Sequence, residues 1–127
     1  MDVYKTHGAF SWSELMTSDP AAATAFYSAL FGWTVQTSDM GTGPYHMVKL
    51  GDTAVGGVMG MPPDAPPMPP HWGCYVTVDS VDDTLAKCAA LGGKTLVPAM
   101  DVPGVGRMAV IQDPQGAVLN VMAYSSS

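Results

Sequence analysis

Polar and apolar residues alternate along residues 8–17. Phe10, Trp12, Glu14 and Met16 fall on one face of a strand, and Ser11, Ser13 and Leu15 on the other. The period then changes. Ser18 or Asp19 offers a helix cap, Pro20 suits the first turn, and Ala22, Ala25, Phe26, Ala29 and Leu30 form an apolar stripe at helical spacing. Gly32 ends this helix. Strands follow at Trp33–Thr37, Tyr45–Leu50 and Thr53–Met59, separated by the turn Asp39–Pro44 and the tight hairpin Gly51-Asp52. The predicted order is β-α-β-β-β.

The same order returns in the second half. Trp72–Val78 reads as a strand and Asp79-Ser80 as a cap. Val81–Leu91 reads as a helix with Val81, Leu85, Cys88 and Ala89 on one stripe, ended by Gly92-Gly93. Lys94–Val97 is a strand that Pro98 should break. Asp101–Gly106 is a loop, and Arg107–Gln112 and Ala117–Ala123 are strands joined by the turn Asp113-Pro-Gln-Gly116. Trp12 and Trp72 stand about 60 positions apart, as do Asp19 and Asp79. Tyr45 and Arg107 stand about 62 apart; Ala54 and Ala117, and Met59 and Met122, about 63. Between the copies lies Met61-Pro-Pro-Asp-Ala-Pro-Pro-Met-Pro-Pro70, an extended connector because proline fixes φ and lacks an N–H. The expectation is one domain over 1–127, α+β, made of two tandem βαβββ modules (7–60 and 71–124) joined by connector 61–70. The modules should form a curved mixed sheet with the helices on its outer face. A lone module of about 60 residues would be marginal, so the pair should fold together around a concave ligand face.

Composition narrows the function. Five Lys and Arg residues and a net charge of −6 argue against nucleic acid or an anionic membrane as partner. No apolar run approaches the roughly 18 residues of a membrane span, and no secretory leader is visible, so a cytoplasmic protein is expected. Cys74 and Cys88 lack metal or redox spacing and read as free thiols. Ten methionines suit adaptable apolar pockets.

The chain resembles the vicinal oxygen chelate superfamily, which includes the glyoxalase I, bleomycin-resistance and extradiol-dioxygenase types. The resemblance is carried by Glu14-Leu-Met-Thr-Ser-Asp19 with Phe26-Tyr-Ser-Ala-Leu-Phe-Gly-Trp33. Tyr75–Asp82 with Ala90-Leu-Gly-Gly93, and Asp113-Pro-Gln-Gly-Ala-Val-Leu-Asn-Val121, complete it. The resemblance implies paired modules, often across a homodimer. It also implies, in metal-dependent members, His or Glu ligands on the first and last strand of each module. Here those positions are Trp12, Gly57, Trp72 and Asn120. Indole has no lone pair to give, glycine has no side chain, and an amide oxygen alone is a weak ligand. No metal and no other cofactor is therefore expected.

Trp12 and Trp72 would instead floor an apolar cleft for a flat small molecule, with Phe10, Met16, Met59, Val76 and Met122 beside them. Glu14, on the face of Trp12, would have a raised pKa there. It could act as general base, bind a cationic ligand, or sit at the rim. Arg107, the one arginine, could bind a carboxylate or phosphate, or pair with Glu14 or Asp101. Tyr45 stands at the repeat position of Arg107, and Asn120 could hydrogen-bond a ligand carbonyl. The expected ligand set is Trp12, Glu14, Tyr45, Met59, Trp72, Arg107, Asn120 and Met122, with Glu14 and Arg107 as catalytic candidates. The reading favoured by these residues is a metal-free small-molecule-binding protein of the bleomycin-resistance type. The alternative is a glyoxalase-like lyase or isomerase, or a dioxygenase-like enzyme, using a metal or Glu14/Arg107 acid–base chemistry.

Overall fold

The computed structural model describes residues 1–39, 43–61 and 68–125. The proline connector falls largely on 62–67, outside the described residues. The element order is β1 (Phe10–Thr17), α1 (Pro20–Phe31), β2 (Thr34–Asp39), β3 (Pro44–Leu50), β4 (Thr53–Gly60), β5 (His71–Thr77), α2 (Val81–Ala90), β6 (Lys94–Val102), β7 (Gly106–Gln112) and β8 (Val118–Tyr124). This is the anticipated α+β chain, with βαβββ occurring twice.

The residues group into two compact units, Ser13–Gly73 and Met1–Trp12 with Cys74–Ser127. In the first unit β2 pairs with β3 and β3 with β4, both antiparallel, while β4 runs parallel to β1. Leu15, Val48 and Val58 are buried against Ala23, Tyr27 and Trp33, so α1 covers one face of these strands. The Asp19 carboxylate caps α1 by accepting from the Ala22 N–H at 3.1 Å, and Gly32, at φ 74°, closes it left-handed. The anticipated stripe of α1 is on the wrong side. Ala22, Ala25, Phe26, Ala29 and Leu30 are exposed, Phe26 at 60% and Leu30 at 57%, and the packed face is Ala23 and Tyr27. A helix that is apolar nearly all round gives periodicity no face to choose.

In the second unit β5 is parallel to β8, and β8–β7 and β7–β6 are antiparallel. Its core is Val78, Val81, Ala109 and Val121, with Leu85 of α2 packed on it. Ser80 caps α2 by accepting from the Asp83 N–H at 3.2 Å. Strand β6 continues through Pro98 instead of ending there. Its ladder to β7 shifts register between Thr95 and Val97 and again between Val97 and Met100. A proline is tolerated at such an irregularity because no ladder donor is required of it.

The observed caps also correct the repeat. Asp19 caps α1 and Ser80 caps α2, an offset of about 61 residues where the residue identities suggested 60. The parallel pairs Glu14–Gly57 and Tyr75–Asn120 agree with the new value. The counterpart of Trp12 is thus Gly73, and that of Trp72 is Ser11. A slip of one residue moves a strand side chain to the opposite face.

Candidate functional site: a carboxylate–phenol pair over a glycine

Strand alternation builds the site. Leu15, Val48 and Val58 face α1, so Glu14 and Met16, Tyr45 and Met47, and Gly57 and Met59 share the other face of β1, β3 and β4. The register sets Glu14 beside Gly57, Met16 beside Met59, Tyr45 opposite Met59 and Met47 opposite Gly57. Tyr45 lies one strand away from Glu14, across β4. Its hydroxyl nevertheless donates to Glu14 Oε2 at 2.7 Å, a length typical of an O–H···carboxylate bond. The phenol reaches it by lying over Gly57. A Cβ at Gly57 would overlap the Tyr45 hydroxyl and ring carbons, so glycine is a steric requirement there. Glu14 is only 8% exposed, and among the described residues no buried side-chain nitrogen or oxygen lacks a partner. The result is a buried carboxyl group that accepts from a phenol, on a sheet face that Met16, Met47 and Met59 share. Such a pair can hydrogen-bond a polar group of a ligand or move a proton.

Three members of the anticipated ligand set, Glu14, Tyr45 and Met59, are thus brought together. Trp72 is placed elsewhere in the same unit. Its indole N–H donates to the Tyr27 hydroxyl at 3.2 Å, and its ring meets Tyr27 and Trp33 edge-on at 5.4 and 6.2 Å. It joins an aromatic group with Tyr27 and Phe31 of α1 and Trp33 just beyond that helix, and is 41% exposed. Trp12 is half-buried and groups with the other unit. There, Asn120 and Met122 lie on the face away from Val121 and α2, and the Asn120 amide donates to the Cys74 carbonyl at 3.2 Å. Val76 has the alternation of buried Val78 and so faces α2's side, opposite to the anticipated direction.

Arg107 pairs within its own unit. Its Nε and Nη2 donate to the two carboxylate oxygens of Asp82, each at 3.1 Å, and Nη1 donates to Asp101 at 3.1 Å. Of its open alternatives, the Asp101 pair is present, Glu14 is not among these partners, and Asp82 is an addition. The hydrogen bond from Arg107 holds the Asp82 carboxyl below its ordinary pKa, and Asp82, then Asp101, raise that of the guanidinium. The cause of the misplacement is again one residue. Tyr45 faces Met59, and Met108 faces Met122, so Met108 and not Arg107 repeats Tyr45.

The residues at the family's ligand positions do not make a donor set for a divalent metal. On the corrected register these positions are Trp12, Gly57, Gly73 and Asn120: an indole and two glycines offer no lone pair, and the one amide oxygen of Asn120 is a weak ligand by itself. Among the described residues no three His, Cys, Asp or Glu side chains converge. The histidines are apart: His46 bonds Thr37 at 2.8 Å, His71 bonds the Pro69 carbonyl at 2.9 Å, and His7 accepts from the Asp79 N–H at 3.0 Å. The Tyr45–Gly57 contact was not anticipated. Its one sequence signal was Gly56-Gly57 in mid-strand, a mark of close approach.

Two βαβββ repeats define a class, and comparison gives it a family. Residues 9–121 match the Glyoxalase/Bleomycin resistance protein/Dioxygenase superfamily, and the chain belongs to it. It is 44% identical over 116 residues to CFP32 of Mycobacterium bovis, named as a candidate glyoxylase, covering 91% of this chain and 44% of that one. It is 35% identical over 127 residues to the anthracycline biosynthesis protein DnrV of Streptomyces peucetius, covering 90% and 46%. The chain therefore spans about half the length of these curated relatives. Methylmalonyl-CoA epimerase from Mycobacterium tuberculosis shares the fold, with a TM-score of 0.65 at 13% identity over 91% of this chain and 86% of that one. No helix of the described residues is long and apolar enough to cross a membrane.

Proposed function

We propose that this chain binds a planar, largely apolar small molecule without a metal, on the face carrying Glu14, Tyr45, Met16, Met47 and Met59. The observation that carries this is the buried Glu14 carboxylate, held at 2.7 Å by a phenol that needs Gly57 beneath it. Thioethers adapt to aromatic surfaces, and the carboxylate–phenol pair selects a ligand hydroxyl, carbonyl or amine. The name of DnrV supports a polycyclic aromatic ligand, since anthracyclines are flat ring systems with polar edges. Free Cys74 and Cys88 are compatible with a cytoplasmic setting, and the exposed Phe26 and Leu30 on α1 support a homodimer.

A titration with an anthracycline and smaller aromatic quinones, followed by ligand fluorescence and calorimetry, tests the reading. Saturable binding that weakens about tenfold in Glu14→Gln and in Tyr45→Phe is expected. Binding that neither substitution changes would sink the assignment. The short Glu14–Tyr45 bond also supports a second reading, proton transfer with Glu14 as base, as in an isomerase or lyase. Product formation from a bound ligand, abolished in Glu14→Gln while binding persists, would select it over simple sequestration.

A further inference from the structure

The second unit contains a cavity of about 390 Å³ that the Glu14 face does not involve. Tyr4, Lys5, Thr77, Asp79, Tyr124 and Ser125 line it. The N-terminal segment that forms one wall is tied down. Thr77 exchanges backbone bonds with Gly8 and Ala9, each at 2.8 Å, and its hydroxyl donates to the Val3 carbonyl at 2.6 Å. Asp2 closes the turn through the Tyr4 N–H at 3.0 Å and the Thr6 hydroxyl at 2.7 Å. This sets the Tyr4 ring edge-on to Tyr124 at 5.0 Å, and the Tyr124 hydroxyl is fixed to that of Ser11 at 2.8 Å. The cavity thus has an aromatic wall, in which Tyr4 remains 39% exposed.

Its two charged linings have opposite sign. The Lys5 ammonium makes no hydrogen bond or ion pair with a described residue. The Asp79 N–H donates to His7 Nδ1 at 3.0 Å, and the Asp79 carboxylate, 83% exposed at the cavity mouth, stands 3.9 Å from the same ring nitrogen. A simple anion entering the cavity would meet Asp79, and a simple cation would meet Lys5. A ligand bearing both charges satisfies both. The volume lies in the lower range of small-molecule sites.

We propose that this cavity binds an aromatic zwitterion of the α-amino acid type, its ring against Tyr4 and Tyr124, its carboxylate at Lys5 and its ammonium at Asp79. The proposal is independent of the ligand of the Glu14 face. The test is an amide-NMR titration of the full chain with L-phenylalanine, 3-phenylpropionate and phenethylamine. L-Phenylalanine should give saturable shifts at Tyr4, Lys5, Asp79 and Ser125, with affinity about tenfold above either singly charged analogue. Lys5→Ala should weaken L-phenylalanine and 3-phenylpropionate and spare phenethylamine; Asp79→Asn should do the converse. The spectra report folding directly, and if Asp79→Asn perturbs the fold, the Lys5→Ala pattern decides alone. Shifts that do not saturate, that map elsewhere, or that rank the three probes equally overturn the proposal.

Discussion

Gly57→Ala is the sharpest perturbation of the candidate site. The added methyl occupies the space of the Tyr45 phenol, so the ring must swing away or the strands must part. If the ring swings, Glu14, 8% exposed with the phenol in place, loses the 2.7 Å hydrogen bond. Loss of a hydrogen bond at a buried acceptor costs about 1–3 kcal/mol. Overpacking adds about 1–3 kcal/mol when neighbours cannot yield. Against this, alanine is better than glycine in a strand by roughly 0.5–1 kcal/mol. The net expectation is a loss of about 2–4 kcal/mol, a large part of the 5–15 kcal/mol typical of a domain. Urea denaturation measures it, and a double-mutant cycle locates its cause. With Tyr45→Ala already present, the obstacle is gone and Gly57→Ala should become neutral or stabilising by up to about 1 kcal/mol. Gly56→Ala is the control: its Cβ would meet the Ser13 carbonyl oxygen at 2.8 Å, so its cost should persist whatever stands at 45. An equal penalty for Gly57→Ala in both backgrounds would refute the steric argument.

Other consequences can be checked as directly. Asp82 has a folded pKa below its ordinary value, so its pairing with Arg107 stabilises the fold above the carboxylate range and is lost as pH falls through it. Asp82→Asn should therefore lower Tm at pH 7, and the gap to wild type should close below roughly pH 4; a gap independent of pH contradicts the ion pair. Extensive EDTA dialysis should leave the affinity for an aromatic probe unchanged, and a tenfold loss restored by a divalent ion would overturn the metal-free proposal. Phe26→Lys, at a position 60% exposed, should leave thermal stability within about 0.5 kcal/mol and split the proposed homodimer in light scattering, whereas an unchanged mass removes α1 from the proposed interface.

What was legible in the sequence follows from what alternation and punctuation encode. The order of all ten elements was readable because caps, glycines and prolines mark ends locally. The placement of Glu14 on the face away from Leu15 was readable because strand period is two. The packed side of α1 was not readable, since Pro20–Phe31 offers apolar residues in every direction and only Ala23 and Tyr27 found the core. Trp72 and Arg107 were misplaced for one shared reason. Their repeat partners were assigned by matching residue types, tryptophan with tryptophan and a long polar tip with a phenol. The caps and ladders run one residue differently. The Tyr45–Glu14 bond spans three strands, and no local pattern reports a diagonal reach of that kind.

The corrected register also shows how two copies of one fold come to differ in chemistry. The parallel pair Glu14–Gly57 of one repeat corresponds to Tyr75–Asn120 of the other, and Tyr45 corresponds to Met108. The first repeat leaves its last-strand position without a side chain and lets a neighbouring phenol fill the gap. The second fills that position with an amide that turns to the Cys74 carbonyl, and a thioether stands where the phenol would be. Glycine at 57 is what makes an acid–phenol pair possible, and asparagine at 120 would obstruct the same reach. The acid–phenol pair is thus formed in the Glu14 unit and is not formed, at the equivalent positions, in its copy. Transplanting the pair should therefore require three changes together, Tyr75→Glu, Met108→Tyr and Asn120→Gly, since any one alone meets either a filled space or a missing partner.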